Sequence, residues 1–141
     1  MATQYGTQMG KLRNTIPVDL PVVSDVHGRV RCFNEKIALN TQPTTDTIEV
    51  ARLPKGARVL FGILNSTVSL STSTVALGIA GNIGKYRAAA VFTATDTPTF
   101  FGVAANVGEA LTAEEIIIIT IATAALPASG TLRVQLFYAV D

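Results

Sequence analysis

The chain has 141 residues, with 11 Lys and Arg against 10 Asp and Glu, one histidine, one cysteine and no tryptophan. A length of this order fits one domain that buries about 70% of its unfolded surface without covalent staples, and a lone cysteine excludes an intrachain disulfide framework. A net charge of +1 excludes nonspecific attraction to nucleic acid as the function.

Only 15% of residues are charged while 48% are hydrophobic. A free monomer ordinarily carries more ionic surface than that, so the composition predicts that other subunits cover part of it. The first residues hold no apolar core of the secretory type. The longest aliphatic run, residues 116–119 extended to Ala122, falls far short of the roughly 20 residues of a membrane-crossing helix. No membrane partner is predicted, and a reducing cytosol of synthesis suits the single thiol.

Residues 1–21 are polar and punctuated by Gly6, Gly10, Pro17 and Pro21. They read as an extended N-terminal arm ahead of a β-sandwich domain, residues 22–141. An arm of this kind frays unless it is supported. A neighbouring subunit is the favoured support and its own domain the alternative, with Tyr5, Lys11 and Arg13 as candidate partner contacts.

Val30, Cys32 and Phe33 suggest a short strand, and residues 41–46 a loop. Residues 47–65, TIEVARLPKGARVLFGILN, read as two strands joined by a tight turn, a hairpin with both faces of its second strand apolar. Pro54 fixes φ and Gly56 can take positive φ, which suits a turn. Arg52, Lys55 and Arg58 crowd that turn as a cationic corner. It is either a solvated turn or a contact for carboxylates on a partner.

Residues 66–74 alternate Val68 and Leu70 with hydroxyl residues and suggest an exposed strand. Residues 75–79 form a short apolar strand, residues 80–86 a Gly-rich loop, and residues 87–95 another strand. Thr99, Phe100 and Phe101 follow the break at Pro98. Residues 111–115 imitate a helix start, but the β-branched run from Ile116 to Ile121 decides for a buried strand. In the last strand Leu132, Val134, Leu136 and Tyr138 share one face, and Arg133, Gln135 and Phe137 the other. Seven or eight strands without a convincing helix predict an all-β fold, a single β-sandwich or jelly-roll-like domain.

Candidate chemistry is sparse. Asp25, His27 and Cys32 lack the paired Cys and His spacings of a zinc site. Ser24, Asp25 and His27 are adjacent in sequence, whereas a triad is assembled in space. Gly78, Gly81 and Gly84 precede Lys85, yet the glycine spacing and Tyr86 after the lysine both miss the phosphate-loop pattern. Glu114 and Glu115 with Glu109 or Asp96 could form a glycosidase pair; a charged strand end that discourages edge pairing accounts for them equally well. Asn65-Ser66-Thr67 is a glycosylation sequon in form only. The sequence gives no reason to expect a cofactor, a metal or an enzyme.

Three stretches carry a resemblance: EVARLPKGARVLFGILN (residues 49–65), VALGIAGNIGKYRAAAVFTATDTPTFFG (residues 75–102) and ALTAEEIIIITIATAALPASGTLRVQLFY (residues 110–138). Together they cover about two-thirds of the chain. With its PKGAR turn, Lys-Tyr loop, LTAEE approach and ASGTL turn in this order, the chain resembles small head proteins of tailed bacteriophages encoded beside the major capsid protein. The resemblance implies a virion structural protein on the head exterior. It would be a capsid decoration or cement protein that binds the major capsid protein, often as a homotrimer, with no direct nucleic-acid contact. A neck, tail or fibre-base role is the runner-up. A carbohydrate-binding sandwich is a third reading, weakened by the absence of tryptophan.

Overall fold

The computed structural model describes residues 2–4, 6–13, 17, 19–21, 23–26 and 28–140. Two short helices, α1 (Thr7–Arg13) and α2 (Val23–Val26), precede eight strands: β1 (Val30–Ala38), β2 (Thr47–Leu53), β3 (Arg58–Ser66), β4 (Thr74–Ile79), β5 (Asn82–Val91), β6 (Thr99–Phe101), β7 (Glu115–Ala122) and β8 (Thr131–Ala139). They form two antiparallel four-stranded sheets, ordered β1-β8-β3-β6 and β2-β7-β4-β5. Apart from the β4–β5 step, every connection passes from one sheet to the other. That is the wiring of a jelly roll, and the all-β sandwich read from the sequence is the observed fold.

The last two strands occupy the middle of the sandwich, β7 between β2 and β4 and β8 between β1 and β3. Period-two alternation puts Ile117, Ile119 and Ile121 of β7 opposite Leu132, Val134 and Leu136 of β8, all at most 1% exposed. Val50, Leu53, Val59, Leu64, Val75 and Leu77 complete the apolar layer. Each such side chain contributes about 1.5–3 kcal/mol on burial, which makes this layer the main source of stability.

Residues 47–65 are not a hairpin. β2 pairs with β7 and β3 with β8, so the turn between them carries the chain across the sandwich. Ala57 N donates to Pro54 O at 3.2 Å, and Gly56, at φ 89°, takes the left-handed conformation expected of it. The turn then pairs with the approach to β7: Gly56 N donates to Leu111 O and Leu111 N to Ala57 O. The physical reason is that β2 and β3 both have a face to bury, and as members of opposite sheets they bury it in the same core.

Strict period-two alternation would put Val59, Phe61 and Ile63 on one face of β3 and Leu60, Gly62 and Leu64 on the other, and the structure corrects this. A bulge between Val59 and Phe61 shifts the register by one, so Gly62 and Leu64 point inward while Phe61 and Ile63 point out. Residues 67–73 form a loop in place of the expected strand, because the hydroxyls bond locally: Ser66 Oγ donates to Val68 O, and Ser71 N donates to Ser69 Oγ. Of the expected Gly-rich loop only Ala80 and Gly81 turn; β5 begins at Asn82 and ends at Val91, short of the expected Thr95. In the arm, expected to be extended, residues 7–13 form α1, with Lys11 and Arg13 in its last turn where cations favour the helix dipole.

Candidate interface

Arg52 is the exposed residue between buried Ala51 and Leu53 on β2. Its Nε and Nη2 both donate to Glu114 Oε1, at 3.0 and 2.8 Å. That hydrogen bonding, and then the carboxylate charge, raise the Arg52 pKa above its ordinary value. Lys55, at the turn, is exposed and makes no ion pair among the described residues.

Arg58 points elsewhere. Its side chain is only 15% exposed, with Nε 3.2 Å from Asp25 Oδ1, and Nη1 donates to Gly108 O at 2.9 Å. Gln8 Nε2 donates to the other Asp25 oxygen at 2.9 Å, and Gly6, Thr7 and Met9 line a cleft with Arg58, Gly108 and Glu109. Part of the arm therefore lies on its own domain. The cationic corner is divided: Arg52 is bound to Glu114, Arg58 holds the Asp25 to which the arm's Gln8 is bonded, and Lys55 stands between them in sequence. Of the arm's candidate contacts, Lys11 sits 3.6 Å from Asp19 and Arg13 is exposed at the end of α1; Tyr5 lies outside the described residues, as does His27.

A second surface is aromatic. Phe61 and Phe137 are paired across β3 and β8, their rings stacked with centroids 4.6 Å apart. Phe100 of β6 meets Phe61 edge-on at 5.6 Å and is 71% exposed. None of these three rings belongs to the core.

A third cluster is polar and enclosed. Lys85 Nζ donates to Glu115 Oε1, and Tyr86 OH to Glu115 Oε2 at 3.0 Å. The Lys85 and Glu115 side chains are 17% and 14% exposed, and Tyr86 is fully buried. Burial first, and then the hydrogen bond to Glu115, raise the Tyr86 phenol pKa above its ordinary value. Both Glu115 oxygens have donors, so the cluster braces β5 against β7, and Asn106 Nδ2 ties the preceding loop to Lys85 O at 2.7 Å. Glu114 and Glu115 thus turn to different partners, Arg52 and Lys85, and do not converge on a substrate position. Arg87 works similarly for the β4 and β5 backbones: its guanidinium donates to the carbonyls of Val75, Ala90 and Val91, and burial lowers its pKa.

Among the described residues no group of three or more His, Cys, Asp or Glu is placed to hold a metal ion, and no helix is long and apolar enough to cross a membrane.

No family model matches the chain, and no curated protein matches it in sequence. Solved structures do share the fold. A chain of the cyanophage Pam1 capsid asymmetric unit is 25% identical, with a TM-score of 0.68 over 81% of this chain and 86% of that one. A chain of the capsid of Ralstonia phage GP4 is 20% identical, with a TM-score of 0.65 and the same coverage, 81% and 86%. One in the acidic stable capsid structure of Helicobacter pylori bacteriophage KHP30 is 14% identical, with a TM-score of 0.61 over 82% and 90%. The last two likenesses are of fold alone. All three neighbours come from phage capsids, the class to which the sequence resemblance pointed.

The aromatic surface escaped the sequence reading although one signal for it was present. Phe137 falls on the face of β8 shared with Arg133 and Gln135, where a ring has no core to enter. Phe61 was hidden by the bulge at Leu60, which no periodicity announces.

Proposed function

We propose that the chain is a structural protein of a phage virion and, within it, a capsid decoration or cement protein. It binds the major capsid protein lattice on the head exterior, as a homo-oligomer with the trimer favoured. The observation that carries this reading is the jelly roll shared with a Pam1 capsid chain at 25% identity over 81% of this chain. The low charge and the outward-facing Phe61, Phe100 and Phe137 add to it, since both suit a protein whose surface is finished by neighbours. An interface of about 1,600 Å² in total suffices for specific attachment. Lys55, Arg13, Lys11 and Tyr5 are proposed contacts, with Arg52 and Arg58 acting through the carboxylates they already hold. No catalytic role is assigned.

A second reading, the shell-forming subunit itself, has support because the matched chains come from a capsid asymmetric unit and a capsid, without a decorating role being given to them. Purified particles separate the two. A cement protein is present in many copies and can be stripped while leaving a closed shell, whereas removing a shell subunit leaves no shell. A dozen or fewer copies would instead indicate a neck or tail component. Deleting residues 1–20 should lower occupancy on the particle; undiminished occupancy removes the arm from the mechanism.

A further inference from the structure

The strand registers arrange the outer face of the sheet β1-β8-β3-β6 in rows. Cys32, Phe137 and Phe61 form one; Asn34, Gln135, Ile63 and Phe100 the next; Lys36, Arg133 and Asn65 the third. The face is therefore graded, aromatic at one end and cationic at the other. At the cationic end Arg133 Nη1 donates to the neutral Asn34 Oδ1 at 3.0 Å. Asp96 borders the same hollow, but neither Lys36 nor Arg133 forms an ion pair among the described residues. Four residues along a strand separate the aromatic row from the cationic one, a distance of about 13 Å.

Resting on the virion reading above, we propose that this face docks a segment of another virion polypeptide presenting apolar side chains and, about 13 Å further along, one or more carboxylates. The apolar part covers Phe61, Phe100 and Phe137, and the carboxylates meet Lys36 and Arg133, the latter able to bind one with two parallel N–H donors. A second copy of this chain is the alternative occupant that the experiment separates. Four of its acids, Asp19, Asp25, Glu114 and Glu115, are already paired with Lys11, Arg58, Arg52 and Lys85. The three rows themselves contain no acid with which to answer their own cations.

Cys32, the chain's single cysteine, lies in the aromatic row and serves as a native probe. Its alkylation rate is measured in the purified protein and in intact particles, and a maleimide photo-crosslinker on it identifies the neighbour. Alongside, Phe100→Ser and the pair Lys36→Glu, Arg133→Glu are checked for an unchanged melting temperature and then for particle occupancy. The expected result is Cys32 protected by more than about tenfold in particles, cross-linked to a different polypeptide, and occupancy reduced by about tenfold or more in both variants. Cys32 equally reactive in particles, cross-links to a second copy alone, or full occupancy of the charge-reversed variant each overturn the inference. Absence of the protein from particles overturns the virion reading and this surface with it. Presence with Cys32 open overturns the surface alone.

Discussion

Tyr86 and its neighbours show what a single residue contributes. Lys85→Met leaves Glu115 without its cation in a largely enclosed position. Both groups keep some water contact, so the expected loss is about 1–3 kcal/mol, below that of a sealed pair; urea midpoints measure it, and adding Glu115→Leu should restore much of it. The phenol adds a pH dependence. Its folded pKa is raised, while an unfolded tyrosine loses its proton near pH 10. Below about pH 10 both states keep the proton and Tyr86 gives pH no leverage; above it the unfolded state binds fewer protons, so stability falls as pH climbs toward the folded pKa. Tyr86→Phe should flatten this alkaline decline above about pH 10, whatever it does to the midpoint itself. Gly62 provides a steric test. A Cβ there would lie 2.0 Å from the Phe101 ring, which packs over it, so Gly62→Val should cost about 1–3 kcal/mol by overpacking. The sequence showed Gly62 as one apolar face of a strand; that the glycine seats a ring could not be read, because β6 reaches β3 across more than thirty residues of chain.

Strands were the most legible elements, and what joins them the least. The isoleucine run of β7 and the alternation of β8 announced themselves because their periodicity is a local property. The partner of a strand is not: the turn at Pro54 and Gly56 looks the same whether it folds back in one sheet or crosses between two. The arm was misread for a related reason. Its residues lack an amphipathic stripe, and what orders them is a contact in space, Asp25 held by Arg58 and Gln8. Asp25→Ala should therefore release the arm from the body. Trypsin cleavage after Lys11 and Arg13 is expected to accelerate several-fold, while the sandwich keeps its cooperative unfolding. Unchanged cleavage would show that the pair does not hold the arm.

At the scale of the whole molecule, the fold class was legible and the candidate interface was not. Strand count and turn spacing define a sandwich, whereas a surface built from β1, β8, β3 and β6 exists only after residues 30–139 have been brought together. The same topology dictates how the chain tolerates truncation. β8 is the strand that β1 and β3 both pair with, and β7 serves β2 and β4 in the same way. Until these last strands arrive, neither sheet has its centre, and much of the inner face is exposed. A chain ending at Ser129 loses β8, and with it Leu132, Val134 and Leu136 from the core, a deletion far beyond the marginal stability of a domain. It should show no cooperative unfolding transition and should aggregate through the unpaired edges of β1 and β3. Among the described residues, removing 1–20 takes away neither a strand nor a core residue. Its far-ultraviolet circular dichroism should keep the β signature, and its melting should stay cooperative. A C-terminal truncation that still melted cooperatively would show that the seven remaining strands form a core without β8, and would overturn this account of the fold's stability.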